Sequence, residues 1–339
     1  MRATLFIVGL AVLGVPVLAR DPSQTNAFWR DPSPHQVRWI TVDSSIRLEV
    51  LDWEGSGPPL VLLGCYLSAY SYDEFAPKLT NQFHVFGITR RGIGASDKPA
   101  TGYAAQRSVD DLLEVLDSLK AQKSLLVGNS CAGQVLTMFA SQHSDRLSGL
   151  VYLDGASDPT MTPADVGAQM PDPATLPRPI KPSPAPDNTS FEALRVSQRR
   201  TRGWAFPEAE VRQQYVANSD GSVGRSLLSS VIRRAITMDA RVKPDYSGIR
   251  VPVLAIYQRQ PPFEEVAANF LIRNERERAA LRQEYAATRA LYVRWQQDLL
   301  AAIPTAPIVE LPGANLYMFL SNETDVLREI RAFAATLPK

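Results

Sequence analysis

Ser130 stands in the stretch Ser124-Leu125-Leu126-Val127-Gly128-Asn129-Ser130-Cys131-Ala132-Gly133, which Gln134-Val135-Leu136-Thr137-Met138-Phe139-Ala140 follows. A short apolar run rich in Leu and Val reads as a buried strand, and the residues after Gly133 are apolar at helical spacing. Gly-x-Ser-x-Ala-Gly between them makes a strained corner that presents a hydroxyl, and small neighbours let strand and helix approach closely. Ser130 is therefore the candidate nucleophile for acyl transfer, with Ala132 where the more usual Gly-x-Ser-x-Gly pattern has its last glycine.

A Ser hydroxyl is a weak nucleophile and needs a base to take its proton and return it to the leaving group. The chain has three histidines. His35 lies in a polar lead-in, His84 at the start of a strand and hence opposite the loops, and His143 at the end of the helix after Ser130. Each reads as a surface or packing residue, and none is expected to reach Ser130. The acid candidate is Asp154, after Leu150-Val151-Tyr152-Leu153; a structural acid bonding loop amides is its other reading. The later Tyr257-Gln258-Arg259-Gln260 carries no carboxylate, although Glu264 and Glu265 follow in a loop.

The elements that must position these groups alternate. Val37–Val42 and Ile46–Leu51 read as an antiparallel hairpin across Asp43-Ser44-Ser45. Strands follow at Pro59–Leu63, His84–Ile88, Ser124–Asn129, Leu150–Leu153, Val251–Tyr257 and Ile308–Leu311. Helices are expected at Tyr72–Leu79, Val109–Leu119, after Ser130, at about Asn274–Ala301 and at Asp325–Leu337. The class is α/β, a mostly parallel sheet covered on both faces. From Ser157 to about Pro186 prolines are dense and periodicity is lost; helices at Phe191–Arg200, Glu208–Val216 and Leu227–Thr237 then complete a cap. The division is 1–19 signal peptide, 20–36 exposed lead-in, 37–156 and 247–339 core, and 157–246 cap.

At 339 residues, 45% hydrophobic and 21% charged, the composition is that of a globular protein, and a net charge of +1 argues against a nucleic-acid partner. Met1 to Ala19 has a lone Arg2, a short apolar run from Ala3 to Leu18 and small residues before the boundary. That is a secretory signal rather than a membrane span, and it places the mature chain in a periplasm or outside the cell. No spacing of His, Cys and carboxylates suggests a metal, and no cofactor is implied.

The order of pieces resembles an α/β-hydrolase with a cap inserted after the sixth strand, from about Val37 to the C-terminus. Arg91-Gly92-Ile93-Gly94-Ala95-Ser96 is similar to the RGxGxS loop of that family. Phe75–Thr80, Gly87–Gly92, Val151–Ala156 and Pro312–Tyr317 resemble segments of secreted or periplasmic bacterial members. The resemblance implies acyl-Ser chemistry on an ester, with a catalytic His in the loop after the last strand. Leu316 occupies that position. It also implies an oxyanion hole made by the backbone N–H groups of Cys65 and Cys131. Two cysteines at the two halves of one hole are expected either to form a disulfide or redox-sensitive pair or to pack as buried thiols. Two functional readings follow: a hydrolase slowed by loss of its base, in which water, Tyr317 or the substrate handles the proton, or a non-catalytic protein binding a small apolar or ester-like molecule. Tyr66, Tyr70, Tyr72 and Trp204 are candidates to line its pocket or to pack the lid.

Overall fold

The computed structural model describes residues 29–180, 185–239 and 241–338; the expected signal peptide lies outside them. β1 (Gln36–Val42), β2 (Ile46–Asp52), β3 (Pro59–Leu63) and β4 (His84–Ile88) come first, then α1 (Ala105–Ser118), β5 (Ser124–Asn129), α2 (Ala132–Gln142) and β6 (Leu147–Leu153). The inserted segment holds β7 (Arg178–Pro179), α3 (Phe191–Arg202), α4 (Glu208–Gln214), β8 (Tyr215–Ala217), β9 (Val223–Ser226) and α5 (Ser230–Asp239). The chain returns through β10 (Val253–Gln258), α6 (Phe263–Ala267), β11 (Phe270–Leu271), α7 (Glu275–Ala302), β12 (Ile308–Leu311), α8 (Met318–Ser321) and α9 (Glu323–Ala334).

Eight strands form one sheet in the order β1-β2-β4-β3-β5-β6-β10-β12. β1 and β2 pair antiparallel, as do β2 and β4, and the remaining neighbours are parallel. Successive side chains of a strand point to opposite faces, and here both faces are dry. Leu60, Leu62, Leu125 and Val127 pack with Phe75, Phe319 and Ile330 on one side. Val61, Leu63 and Leu126 pack with Val109 and Leu112 of α1 and Val135 and Phe139 of α2 on the other. This is why the central strands read as continuous apolar runs.

The local departures from expectation have local causes. In place of one helix over Tyr72–Leu79 there are two 3-10 turns, Ala69–Tyr72 and Ala76–Leu79, the second with Pro77 as its second residue, which has no N–H to continue a helix from the first. The helix expected to run to Val216 stops at Gln214, and Tyr215, aromatic and followed by β-branched Val216, starts β8 against β9. β7 pairs with β11, so the inserted segment is tied by a strand to residues after β10. The lead-in is not exposed throughout: the His35 side chain is 5% exposed and packs edge-on to Trp53 and Tyr70.

Candidate active site

Parallel strands that share a register end at the same level. Asn129 pairs with Leu153, so the next residues, Ser130 and Asp154, leave neighbouring strands side by side. Both adopt left-handed backbone, at φ +55° and +53°, a conformation that costs non-glycine residues about 1–3 kcal/mol and persists where the surroundings impose it. The Ser130 N–H donates to the Leu153 carbonyl at 3.0 Å, and Gly133 N–H returns to the Ser130 carbonyl at 2.9 Å, which starts α2 directly behind the hydroxyl. The turn demands glycine at 133, because a Cβ there would lie 1.9 Å from the Gly155 carbonyl oxygen.

Asn129 fixes the last loop. Its side-chain amide donates to the carbonyls of Leu153 at 3.0 Å and Leu316 at 2.6 Å. The loop after β12 is thereby held against the end of β5, and its residue 316 is aliphatic. Tyr317, next in sequence, packs edge-on to Phe206 at 5.1 Å and Trp204 at 5.5 Å from the cap.

The Asp154 carboxylate is occupied. It accepts from the Gln258 side chain at 2.8 Å, from the Gln258 backbone N–H at 3.4 Å and from the Tyr292 hydroxyl at 3.3 Å, and Gln258 Nε2 also meets that hydroxyl at 2.8 Å. Burial pushes the Asp154 pKa up to about 6 against the pull of these bonds. Sequence reading missed Gln258 and Tyr292 as its partners. Glu264 does not compete for the role, since it is exposed on α6 and paired with Arg278 and Arg282; Glu265 is exposed on the same helix.

The histidines are committed elsewhere. His84 bonds Asp52 at 2.8 Å, and His143 packs on Phe139. His35 sits between carboxylates, with Nδ1 3.0 Å from Asp73 and Nε2 3.7 Å from Asp31. Burial would lower its pKa, but Asp73 and Asp31 outweigh burial and hold it up. The spacing argument against a ligand cluster thus fails: Asp31, His35 and Asp73 bring one ligand atom each within 4.8 Å of one another, because the fold delivers Asp73 to the lead-in. Both ring nitrogens already face a carboxylate.

Cys65 and Cys131 are joined in a disulfide, with Cα atoms 5.0 Å apart. The bond fastens the loop after β3 to the residue following Ser130. Beside it, a cavity of about 140 Å³ opens between the Tyr66–Ser68 segment, the Gly92–Gly94 turn and the cap helices α4 and α5, with Tyr317 on its wall. Of the four aromatic candidates, Tyr66 lines this cavity. Tyr70 packs on His35, Tyr72 is fully buried with its hydroxyl on the Leu63 carbonyl at 2.9 Å, and Trp204 packs against Phe206 and Tyr317.

The cavity also contains a group no motif announced. Glu210 of α4 is 1% exposed, bonded to the Ser68 hydroxyl and to Gln214 Nε2 at 2.8 Å, and burial drives its pKa up to about 8. The folded state therefore keeps a proton that the unfolded chain releases near pH 4.5. The stability this group contributes is complete below about pH 4.5 and is lost as pH rises through about 8. Glu210→Gln, which cannot ionise, should gain melting temperature relative to the parent between pH 5 and pH 9. A parent–variant difference that is the same at both pH values would contradict the assignment.

Residues 55–329 match the model of a family described as "Alpha/beta hydrolase family". Among curated proteins, the soluble epoxide hydrolase of Corynebacterium sp. is 37% identical over 101 residues, 30% of this chain and 35% of that protein. The 2-(acetamidomethylene)succinate hydrolase of Mesorhizobium japonicum is 28% identical over 102 residues, 30% of this chain and 37% of that one. The chain thus aligns with about a third of the length of these two relatives. Among solved structures, E-2-(acetamidomethylene)succinate hydrolase superposes with a TM-score of 0.61 at 21% identity, covering 89% of this chain and all of that one. An esterase from Exiguobacterium antarcticum gives 0.56 at 17% identity, covering 89% and 100%. No helix among the described residues is long and apolar enough to cross a membrane.

Proposed function

This chain belongs to the alpha/beta hydrolase family, and from that premise we propose a serine hydrolase of carboxylic-ester type that works without a histidine base. Ser130 Oγ attacks the substrate carbonyl, the amides of Cys65 and Cys131 receive the oxyanion, the bond to the leaving group breaks, and water releases the acyl group from Ser130. The proton of the hydroxyl passes to water, to Tyr317 or to the substrate itself. The observation that carries this reading is the 2.6 Å bond from the Asn129 side chain to the Leu316 carbonyl: the loop expected to deliver a base is held against the residue before the nucleophile, and its residue 316 is a leucine. Losing the base of a triad costs on the order of a millionfold in turnover, while oxyanion stabilisation and binding retain roughly a thousandfold over water. The enzyme is accordingly slow.

A second reading, a binding protein that has lost turnover, draws on Asp154, whose oxygens face Gln258 and Tyr292 and not a base. We place the protein in a periplasm or outside the cell, a location supported by the apolar segment Ala3–Leu18 and by a disulfide, which persists in oxidising compartments. The deciding experiment is fluorophosphonate capture by the purified protein beside Ser130→Ala. Slow capture that the substitution abolishes supports the hydrolase. No capture over many hours leaves the binding protein.

A further inference from the structure

The cavity beneath the cap is polar on one side, and of the groups there the chemistry proposed for Ser130 calls on Tyr317 alone. Glu210 projects from α4 between Ser68 and Gln214, almost wholly buried. Among the described residues it has no ion-pair partner within 4 Å; the charged or titratable groups that face it are Asp73, Tyr72 and Tyr317. Asp73 disfavours its ionisation, as burial does, so the carboxyl group is mostly neutral at pH 7 and can donate a hydrogen bond. The same cavity is lined by Lys98 and Arg233. The Arg233 guanidinium lies 5.3 Å from the centre of the Tyr66 ring, and the Tyr66 hydroxyl is 2.5 Å from Thr237 of the same helix, so the arginine is held on the wall. With Glu210 neutral, the formal charge of the lining is positive.

We propose that this cavity takes a short molecule bearing a carboxylate, which pairs with Arg233 and accepts a hydrogen bond from the Glu210 carboxyl group. A hydrogen bond to an ionised acceptor is about twice as strong as one between neutral groups. The volume of about 140 Å³ equals roughly five water molecules of liquid, room for a chain of a few carbons. Ionising Glu210 removes the donor and sets two carboxylates against each other, so affinity falls with rising pH. Ser130 is not among the residues that line this cavity, so the inference goes beyond the hydrolase reading and does not depend on it.

The test is calorimetric titration of the full chain carrying Ser130→Ala, so that no probe is turned over, with succinate, neutral succinamide and cationic 1,4-diaminobutane at pH 6.5 and 9. Succinate should bind at pH 6.5 at least tenfold more tightly than succinamide and weaken at least tenfold at pH 9. Arg233→Gln, at an exposed position, should cost tenfold or more. Glu210→Gln, checked for folding by its melting curve, should abolish the pH dependence. Preference for the diamine, absence of succinate binding at both pH values, or a tenfold pH effect surviving in Glu210→Gln each overturns the proposal. If Ser130 of the parent protein takes no fluorophosphonate, the hydrolase reading falls and these affinities stand; if it does and succinate fails, anion recognition alone falls.

Discussion

Leu316→His should raise the rate of fluorophosphonate capture at Ser130 by about 10²-fold or more, the lower part of the 10²–10⁴-fold range typical of a positioned general base. The backbone to carry the imidazole already exists, since Asn129 holds the Leu316 carbonyl and Tyr317 N–H is bonded to Asn315 Oδ1 at 2.7 Å. The gain is placed low because Asp154 must give up part of its bonding to Gln258 and Tyr292 to orient the new ring. The rate should climb through the ionisation range of an ordinary imidazole, near pH 6.5. The double variant with Ser130→Ala must show none of it. A single variant no faster than the parent would mean that residue 316 does not face the hydroxyl, and would count against the proposed site as a whole.

Removing the Cys65–Cys131 bond should cost about 4 kcal/mol of stability in the chain-entropy account of a crosslink spanning 66 residues. Urea denaturation with and without a phosphine reductant, and of Cys65→Ser, measures it; a loss under about 1 kcal/mol would mean that the unfolded chain is already constrained there. The bond also fastens the two segments whose amides are proposed to face the oxyanion. Reduction under native conditions should therefore slow Ser130 capture before it unfolds the protein. Capture that is indifferent to reduction would separate the crosslink from the chemistry.

What could be read in the sequence was what local pattern and spacing encode. The elbow at Ser130 announces itself by small residues between an apolar strand and a segment apolar at helical spacing, and Leu316 by its place in a loop resemblance. The alternating strands follow from a sheet buried on both faces. What could not be read depends on contacts between distant segments. Glu210 looks like any acid on a charged helix, and only the docking of α4 over Ser68 makes it a buried carboxyl. Tyr292 lies within α7, whose charged and apolar residues are evenly mixed, and its hydroxyl meets Asp154 from 138 positions away. The two-residue pair of β7 and β11 and the short β8 are below the length at which alternation can be recognised.

The position of the disulfide also shapes how the molecule would yield to force. The bond closes a ring that contains β4, α1 and β5. Pulled from its two ends, the oxidised chain can pay out everything outside that ring and nothing within it. At 3.3–3.6 Å per extended residue, the sequence separation of 66 between the two cysteines withholds roughly 220–240 Å of contour length. A partner that unravels the protein from either terminus would thus meet a covalent stop with Ser130 still inside the loop, one residue short of its knot.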